Sequence, residues 1–125
     1  MNEVILVVEK VVVPLKYLGS NDLLLLTLLA AGDSYGYKLS RRIRELSQDK
    51  YFLKETTLYA ALNRLEREGS VTSYAGTETN GKERTYFSIT PQGRQQLSQL
   101  LEDWRETVEI AERFIEEGRV CHDQD

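Results

Sequence analysis

The sequence has 125 residues, a length that fits one domain, and its 41% apolar and 29% charged residues are typical of a globular protein. Apolar runs such as residues 11–15 are far shorter than the roughly 20 residues of a membrane-spanning helix, and we find no secretory signal pattern. Cys121 is the one cysteine, which excludes an internal disulfide, so we expect a cytoplasmic protein.

The formal net charge of −4 argues against a nucleic-acid partner, but the charges are unevenly distributed along the chain. Residues 38–94 contain eleven basic and seven acidic residues, an excess of four positive charges. Residues 95–125 contain three arginines and nine acidic residues, an excess of six negative charges. A basic middle segment gives a polyanion one region to bind, although charge alone fits an ordinary solvated surface equally well.

The first predicted elements are a short valine-rich segment and an apolar helix. Residues 4–13 favour a strand, although so short a run does not exclude a buried helix. Ser20 or Asn21 is a good N-cap for a helix that ends at Gly32, and the early Asp22 suits the positive end of its dipole. Since leucines lie on nearly every side of this helix, we expect it at the centre of the core.

Two amphipathic helices, a hairpin and a long helix follow. The second helix is predicted from Asp33 or Ser34 to about Ser47, and the third over about residues 55–68, where Gly69 stops it. Their predicted buried residues are Leu39, Ile43 and Leu46, and Leu58, Ala61, Leu62 and Leu65. Two short strands around Asn80-Gly81 form the hairpin, and Thr90-Pro91 then caps the last helix.

This order predicts an α+β fold, mainly α: a winged helix-turn-helix of three helices and a two-stranded wing, with a long C-terminal dimerisation helix. The tight connection between the second and third helices makes the third the exposed recognition helix. We assign residues 1–19 to an N-terminal extension of unknown role, 20–90 to the DNA-binding domain, 91–118 to the dimerisation helix and 119–125 to an acidic tail.

The third helix presents a small, polar and basic face opposite its leucines. Threonine and asparagine can bond to base edges, and arginine can reach guanine or phosphate. The candidate positions on this face and its edges are Thr56, Thr57, Tyr59, Ala60, Asn63, Arg64 and Arg67. In the hairpin loop, Lys82 and Arg84 can contact phosphates or a minor groove. Each pattern alone also fits a solvated surface, but together they favour DNA binding.

The last helix carries an apolar seam with alternating spacings of four and three residues. The seam consists of Leu97, Leu101, Trp104, Val108, Ala111 and Ile115. Leu100, Ile110 and Phe114 widen it beyond what one strip of its own small domain could bury. Packing against its own core is the alternative. We expect a homodimer, because a two-fold DNA site needs a two-fold protein.

Three blocks of this sequence resemble the PadR-type transcriptional regulators: LLLLTLLAAGDSYGYKLSRRI, TTLYAALNRLEREGSV and GKERTYFSITPQGRQQLSQLLEDW. They carry Tyr-Gly-Tyr at a helix start, Thr-Leu-Tyr in the recognition helix, and Tyr-x-x-x-Thr-x-x-Gly at the start of the dimer helix. The resemblance covers about residues 20–115. Two positions depart from the family pattern: Lys54-Glu55 stands where Ser-Pro is common, which removes a helix cap, and Ala60 replaces the usual proline.

The resemblance implies a dimeric repressor that binds an inverted repeat in double-stranded DNA and is released by a small, often aromatic effector. It implies DNA contacts for Tyr37, Tyr59, Lys82 and Arg84. It also supports a ligand-binding role for Trp104, since some small members bind planar drugs between paired tryptophans. From the residues, two indoles facing each other across a dimer could stack on a planar effector, with Leu100 lining the site. Packing is the alternative role for Trp104.

Two other function classes compete with this interpretation. An enzyme is not expected, because His122, the one histidine, and Cys121 are too few for a closed metal site and have no orienting third group. We therefore expect no catalytic residues, metal or cofactor. The negative net charge favours the second alternative, a winged-helix protein-interaction module or antagonist that does not bind DNA.

Overall fold

The structure, a computed structural model, describes residues 5–8, 11–14 and 21–123. The chain divides into two units: residues 20–98, here called the winged unit, and a second unit formed by residues 1–19 and 99–125. Within the described ranges, no helix is long and apolar enough to cross a membrane. Of the predicted features, the candidate N-cap Ser20 lies outside the described residues.

The three helices of the winged unit are α1 (Asp22–Ala31), α2 (Gly36–Leu46) and α3 (Glu55–Arg67). Helices α1 and α3 match their predicted limits closely, and Gly69 follows α3 with a φ of 84°, a left-handed conformation that glycine adopts without strain. No side-chain hydrogen bond caps α3 at Lys54, as the sequence indicates. Helix α2 begins later than predicted, because Ser34 and Tyr35 are extended and pair with a strand.

Among residues 5–8, 11–14 and 21–123, five strands form two antiparallel sheets: β1 (Ile5–Val8), β2 (Val11–Pro14), β3 (Ser34–Tyr35), β4 (Val71–Thr77) and β5 (Glu83–Ile89). Strands β1 and β2, from the valine-rich segment, pair antiparallel in the second unit. In the winged unit, β5 lies between β4 and β3. The predicted two-stranded wing, β4 and β5, is therefore the larger part of a three-stranded sheet. The third strand is the two-residue β3, which pairs with β5.

Helix α1 lies at the centre of the winged unit, as its composition predicts. Its Leu25, Leu26 and Leu29 are at most 1% exposed. The helix packs against α2, α3 and β5, so it is covered on several sides. The other buried apolar residues of this unit are Leu39, Ile43, Leu53, Leu58, Leu62, Leu65, Val71, Phe87 and Leu97.

The last helix, α4 (Pro91–Asp123), begins at the predicted cap. The Thr90 hydroxyl oxygen accepts a hydrogen bond from the Gly93 N–H at 3.0 Å and donates to the Gly69 carbonyl at 2.6 Å. This hydroxyl therefore satisfies an otherwise unpaired donor at the helix start and ties α4 to the end of α3. The helix continues beyond the predicted limit at residue 118, so residues 119–123 are helical rather than a separate tail.

Two predicted side-chain roles are wrong. Leu46 is 59% exposed, because it is the last residue of α2 and extends past the helices that cover Leu39 and Ile43. Asn21 stands at the N-cap position of α1, but its side chain forms no capping bond. Its Oδ1 accepts a hydrogen bond from the Tyr51 hydroxyl at 2.6 Å instead, which ties the α2–α3 connection to the start of α1.

Candidate nucleic-acid interface

The outer face of α3 is open to solvent. The buried Leu58, Leu62 and Leu65 point into the core, as the helical spacing predicts, whereas Ala61 is half-buried. The opposite side of the helix and its edges carry five exposed candidate residues: Thr56, Thr57, Ala60, Asn63 and Arg67. Small and polar side chains dominate this face, so a flat or concave partner could approach the helix backbone closely.

Arg64 points away from this face, which differs from its predicted contact with DNA. Its guanidinium donates to Oδ1 of Asp22, the first residue of α1, and to both carboxylate oxygens of Glu68 at 3.0 and 3.1 Å. The bond to Asp22 raises the pKa of Arg64 above its usual value. Asp22 is 5% exposed and the Arg64 side chain is 37% exposed, so the pair is shielded from water on its carboxylate side and ties α3 to α1.

Tyr59 lies at the edge of α3 against the start of α2. A side chain at Gly36 would place its Cβ 2.3 Å from the Tyr59 hydroxyl oxygen, so this close approach requires glycine at position 36. On the next residue of α2, Tyr37 is 59% exposed. The Tyr-Gly-Tyr motif thus positions two tyrosines around a glycine and makes room for a third from α3.

The wing contributes an arginine that is held between tyrosine rings. The guanidinium carbon of Arg84 lies 4.9 Å from the ring centroid of Tyr35 and 5.9 Å from that of Tyr37, distances at which cation–π attraction acts. Its Nε donates to Oε2 of Glu78 at 2.9 Å. Glu78 Oε1 accepts a further hydrogen bond from the Tyr35 hydroxyl.

The ionisation of this cluster follows from its hydrogen bonds. The bond from Tyr35, followed by the bond from Arg84, lowers the pKa of the Glu78 carboxyl below its ordinary value. The same two carboxylate contacts raise the pKa of the Tyr35 hydroxyl and of the Arg84 guanidinium. Glu78 is therefore an anion and Arg84 a cation at neutral pH, in direct contact.

A row of tyrosines continues across the sheet. Tyr86 on β5 contacts the Tyr35 ring edge-on at 5.4 Å and stacks on the Tyr74 ring at 5.6 Å. The Tyr74 hydroxyl donates to Asp33 at 2.6 Å, and this bond raises the pKa of Tyr74. These edge-on and stacked contacts link the three strands on one face.

Lys82 lies in the turn between β4 and β5, where its side chain is exposed. The turn is closed by backbone hydrogen bonds between Glu78 and Lys82 and between Gly81 and Glu78, each of 2.8 Å. Asn80 Oδ1 also accepts from the Lys82 N–H at 3.1 Å. The wing therefore presents one exposed lysine in its turn and one ion-paired arginine two residues later, near the start of β5.

Helix α4 places its predicted seam residues in different surroundings. Leu97 and Val108 are buried in the single chain, and Leu100, Leu101, Trp104 and Ala111 are half-buried. Ile115 is 42% exposed, and two apolar residues outside the seam, Ile110 and Phe114, are 44% and 76% exposed. The C-terminal part of α4 therefore carries an apolar surface that the single chain leaves open to water.

The sequence-based reasoning missed Tyr35, Tyr74 and the central position of Glu78. The sequence carries two signals for them: Tyr74 and Tyr86 are partners in the hairpin register, and Glu78 and Arg84 flank the same turn. In the part of the chain that the structure describes, no group of three or more metal-ligating side chains comes together.

Comparison with known proteins identifies a family match over most of the winged unit. Residues 25–99 match the family described as the transcriptional regulator PadR-like family. A transcriptional regulator from Escherichia coli, YqjI, is 33% identical over 97 residues, which are 78% of this chain and 43% of that relative.

Two solved structures are similar in fold and sequence. A transcriptional regulator from Clostridium thermocellum is 45% identical with a TM-score of 0.68, over 75% of this chain and 91% of that one. Bacillus subtilis PadR in complex with operator DNA is 25% identical with a TM-score of 0.57, over 64% of this chain and 45% of that one.

The ion pair between α1 and α3 leads to a stability prediction. Arg64→Ala should lower the free energy of unfolding by about 1–3 kcal/mol, because the largely buried Asp22 carboxylate loses its cationic partner. The control is Arg67→Ala, which changes an exposed arginine of the same helix and should stay within about 0.5 kcal/mol of the parent. Urea denaturation measures both. Equal stability of the two variants would show that the ion pair does not hold α3.

Proposed function

This chain belongs to the transcriptional regulator PadR-like family, and on that premise we propose that it represses transcription as a homodimer bound to an inverted repeat in duplex DNA. It is a DNA-binding transcriptional regulator and not an enzyme. One observation carries the finer proposal: Tyr59, at the edge of the exposed face of α3, lies against Gly36, and the ring of the next residue, Tyr37, contacts Arg84 of the wing. Such a surface can contact a groove and the neighbouring phosphates at once.

In this proposal the two parts of the surface act differently. Thr56, Thr57, Asn63 and Arg67 read base edges in the major groove or contact its rim, since their side chains are exposed on the helix. Tyr37, Tyr59, Lys82 and Arg84 contact the sugar-phosphate backbone. Arg64 has an indirect role in this scheme, because it orients α3 through Asp22.

Two substitutions separate base reading from phosphate contact. Asn63→Ala should weaken binding to the cognate site by about 1–3 kcal/mol and relax base preference at one position in each half-site. Lys82→Ala should weaken binding to all duplexes and reduce the slope of log affinity against log salt by about 0.9. Fluorescence anisotropy with cognate and random duplexes measures both effects.

The parent protein is the reference for this test. Its affinity for random duplex should fall steeply with salt, because phosphate contacts release counterions. A protein-interaction module would show no such retention on DNA. If the two variants had the same effects on cognate and random duplexes, the proposed division of roles would be wrong.

We further propose that α4 forms the dimer interface. At 100° per residue, Phe114 lies about 60° from the seam residue Ala111, and Ile110 lies about 40° farther round, nearly opposite the buried Val108. The apolar stripe of α4 is therefore wider than the part that is covered in the single chain. A second copy of the same helix, related by a two-fold axis, would cover the remaining part and would give the two recognition helices the symmetry of an inverted repeat.

Replacement of Ile110 and Phe114 by serine should give a folded monomer, since both side chains are already exposed in the single chain. The matched control replaces their neighbours Glu109 and Arg113, an exposed pair at 2.7 Å, by serine. The control should remain dimeric, because exposed pairs contribute little. Sedimentation at micromolar concentration distinguishes the two. A dimer that persists in the Ile110/Phe114 variant would contradict the proposed interface.

The proposed effector is a planar aromatic compound that binds at Trp104, with Leu100 one turn away on α4. Both side chains are half-buried in the single chain, so part of each is accessible to a ligand or a second copy. Acridine and quinoline derivatives should quench the fluorescence of Trp104 and weaken DNA binding in parallel, through preferential binding to a DNA-incompetent dimer. Trp104→Leu, which removes the one tryptophan, should abolish the ligand-induced release from DNA while the dimer persists. Release from DNA that survives in this variant would place the effector site elsewhere.

A further inference from the structure

Glu78 holds an unusual position on a surface proposed to contact DNA. It begins the wing turn, and its backbone N–H and carbonyl are both fixed by hydrogen bonds across that turn. Its carboxylate accepts hydrogen bonds from the Tyr35 hydroxyl and from Arg84 Nε. Hydrogen bonds thus fix both the backbone and the side chain of Glu78, and they hold its negative charge beside Arg84.

The contact neutralises Arg84 without occupying all of its donors. In the described part of the chain, the Arg84 hydrogen bond is made by Nε, and the guanidinium lies over the rings of Tyr35 and Tyr37. A guanidinium carries five N–H donors in a planar fork, so its terminal amino groups keep their capacity for a phosphate. The pair as a whole carries no net charge.

We propose that Glu78 is a specificity-determining residue that suppresses non-specific DNA binding by neutralising Arg84. This inference rests on the proposed DNA-binding function. Non-specific affinity comes mainly from cations that release counterions when they meet phosphates. A cation that is already paired with a carboxylate is attracted only weakly to a distant phosphate, because the carboxylate repels that phosphate. On a cognate site, α3 holds the wing close enough for the remaining donors of Arg84 to bond directly.

The wing supplies a matched control for this proposal. Glu83 carries the same charge and is adjacent to Arg84 in sequence. Since side chains alternate along a strand, Glu83 lies on the opposite face of β5 from Arg84, and it is exposed. Removal of either charge changes the net charge of the protein equally. A difference between the two variants must therefore come from the contact with Arg84.

The experiment compares Glu78→Gln with Glu83→Gln on random-sequence duplex and on immobilised heparin, over a series of salt concentrations. Glu78→Gln should steepen the slope of log affinity against log salt by about 0.9 on duplex, which corresponds to roughly eightfold tighter binding at 0.1 M salt. It should also elute from heparin at higher salt. Glu83→Gln should leave the slope unchanged and shift affinity less than about twofold. Far-ultraviolet circular dichroism verifies that both variants are folded.

A third comparison tests whether the tighter binding of the Glu78→Gln variant depends on Arg84. In an Arg84→Ala background, Glu78→Gln should bind no more tightly than Glu83→Gln. The proposal is overturned if the two glutamine variants behave alike on both polyanions, or if the gain persists without Arg84. Failure of the proposed function is a separate result: the parent protein would then bind no duplex, whereas the heparin comparison would still decide the role of Glu78.

Discussion

The burial of α1 on several sides is the constraint on which the remainder of the winged unit depends. This helix is apolar almost all round, so α2, α3 and β5 must each turn an apolar face toward it. For α3 the consequence is specific: Leu58, Leu62 and Leu65 are directed inward, and the small polar face is left outside. The ion pair of Arg64 with Asp22 adds a directional link to this packing.

The protein is acidic overall, yet its proposed DNA surface is built from basic and aromatic residues. Some basic side chains of this surface form ion pairs with carboxylates, and others are exposed to solvent. Arg64 and Arg84 each contact a carboxylate, whereas Arg67 and Lys82 are exposed. Exposed cations supply affinity for any duplex, and paired ones contribute only where geometry brings a phosphate into contact. This arrangement favours discrimination between sites over general affinity.

The sequence predicted those features that arise from local periodicity and end signals. The limits of α1 and α3 follow from runs of leucine and from Gly32 and Gly69, and the start of α4 follows from Thr90. Contacts between distant segments could not be predicted in this way. The two-residue β3 has no pattern of its own, and the inward turn of Arg64 depends on a carboxylate 42 positions away.

The central claim is that two copies of this chain place two recognition helices on one duplex. Selection of bound sequences from a pool of random duplexes tests it most directly, because the result reports base reading and symmetry together. The account predicts enrichment of an inverted repeat whose half-sites are about one helical turn, or a multiple of it, apart. Enrichment of a single unrepeated half-site, or of no sequence at all, would contradict it.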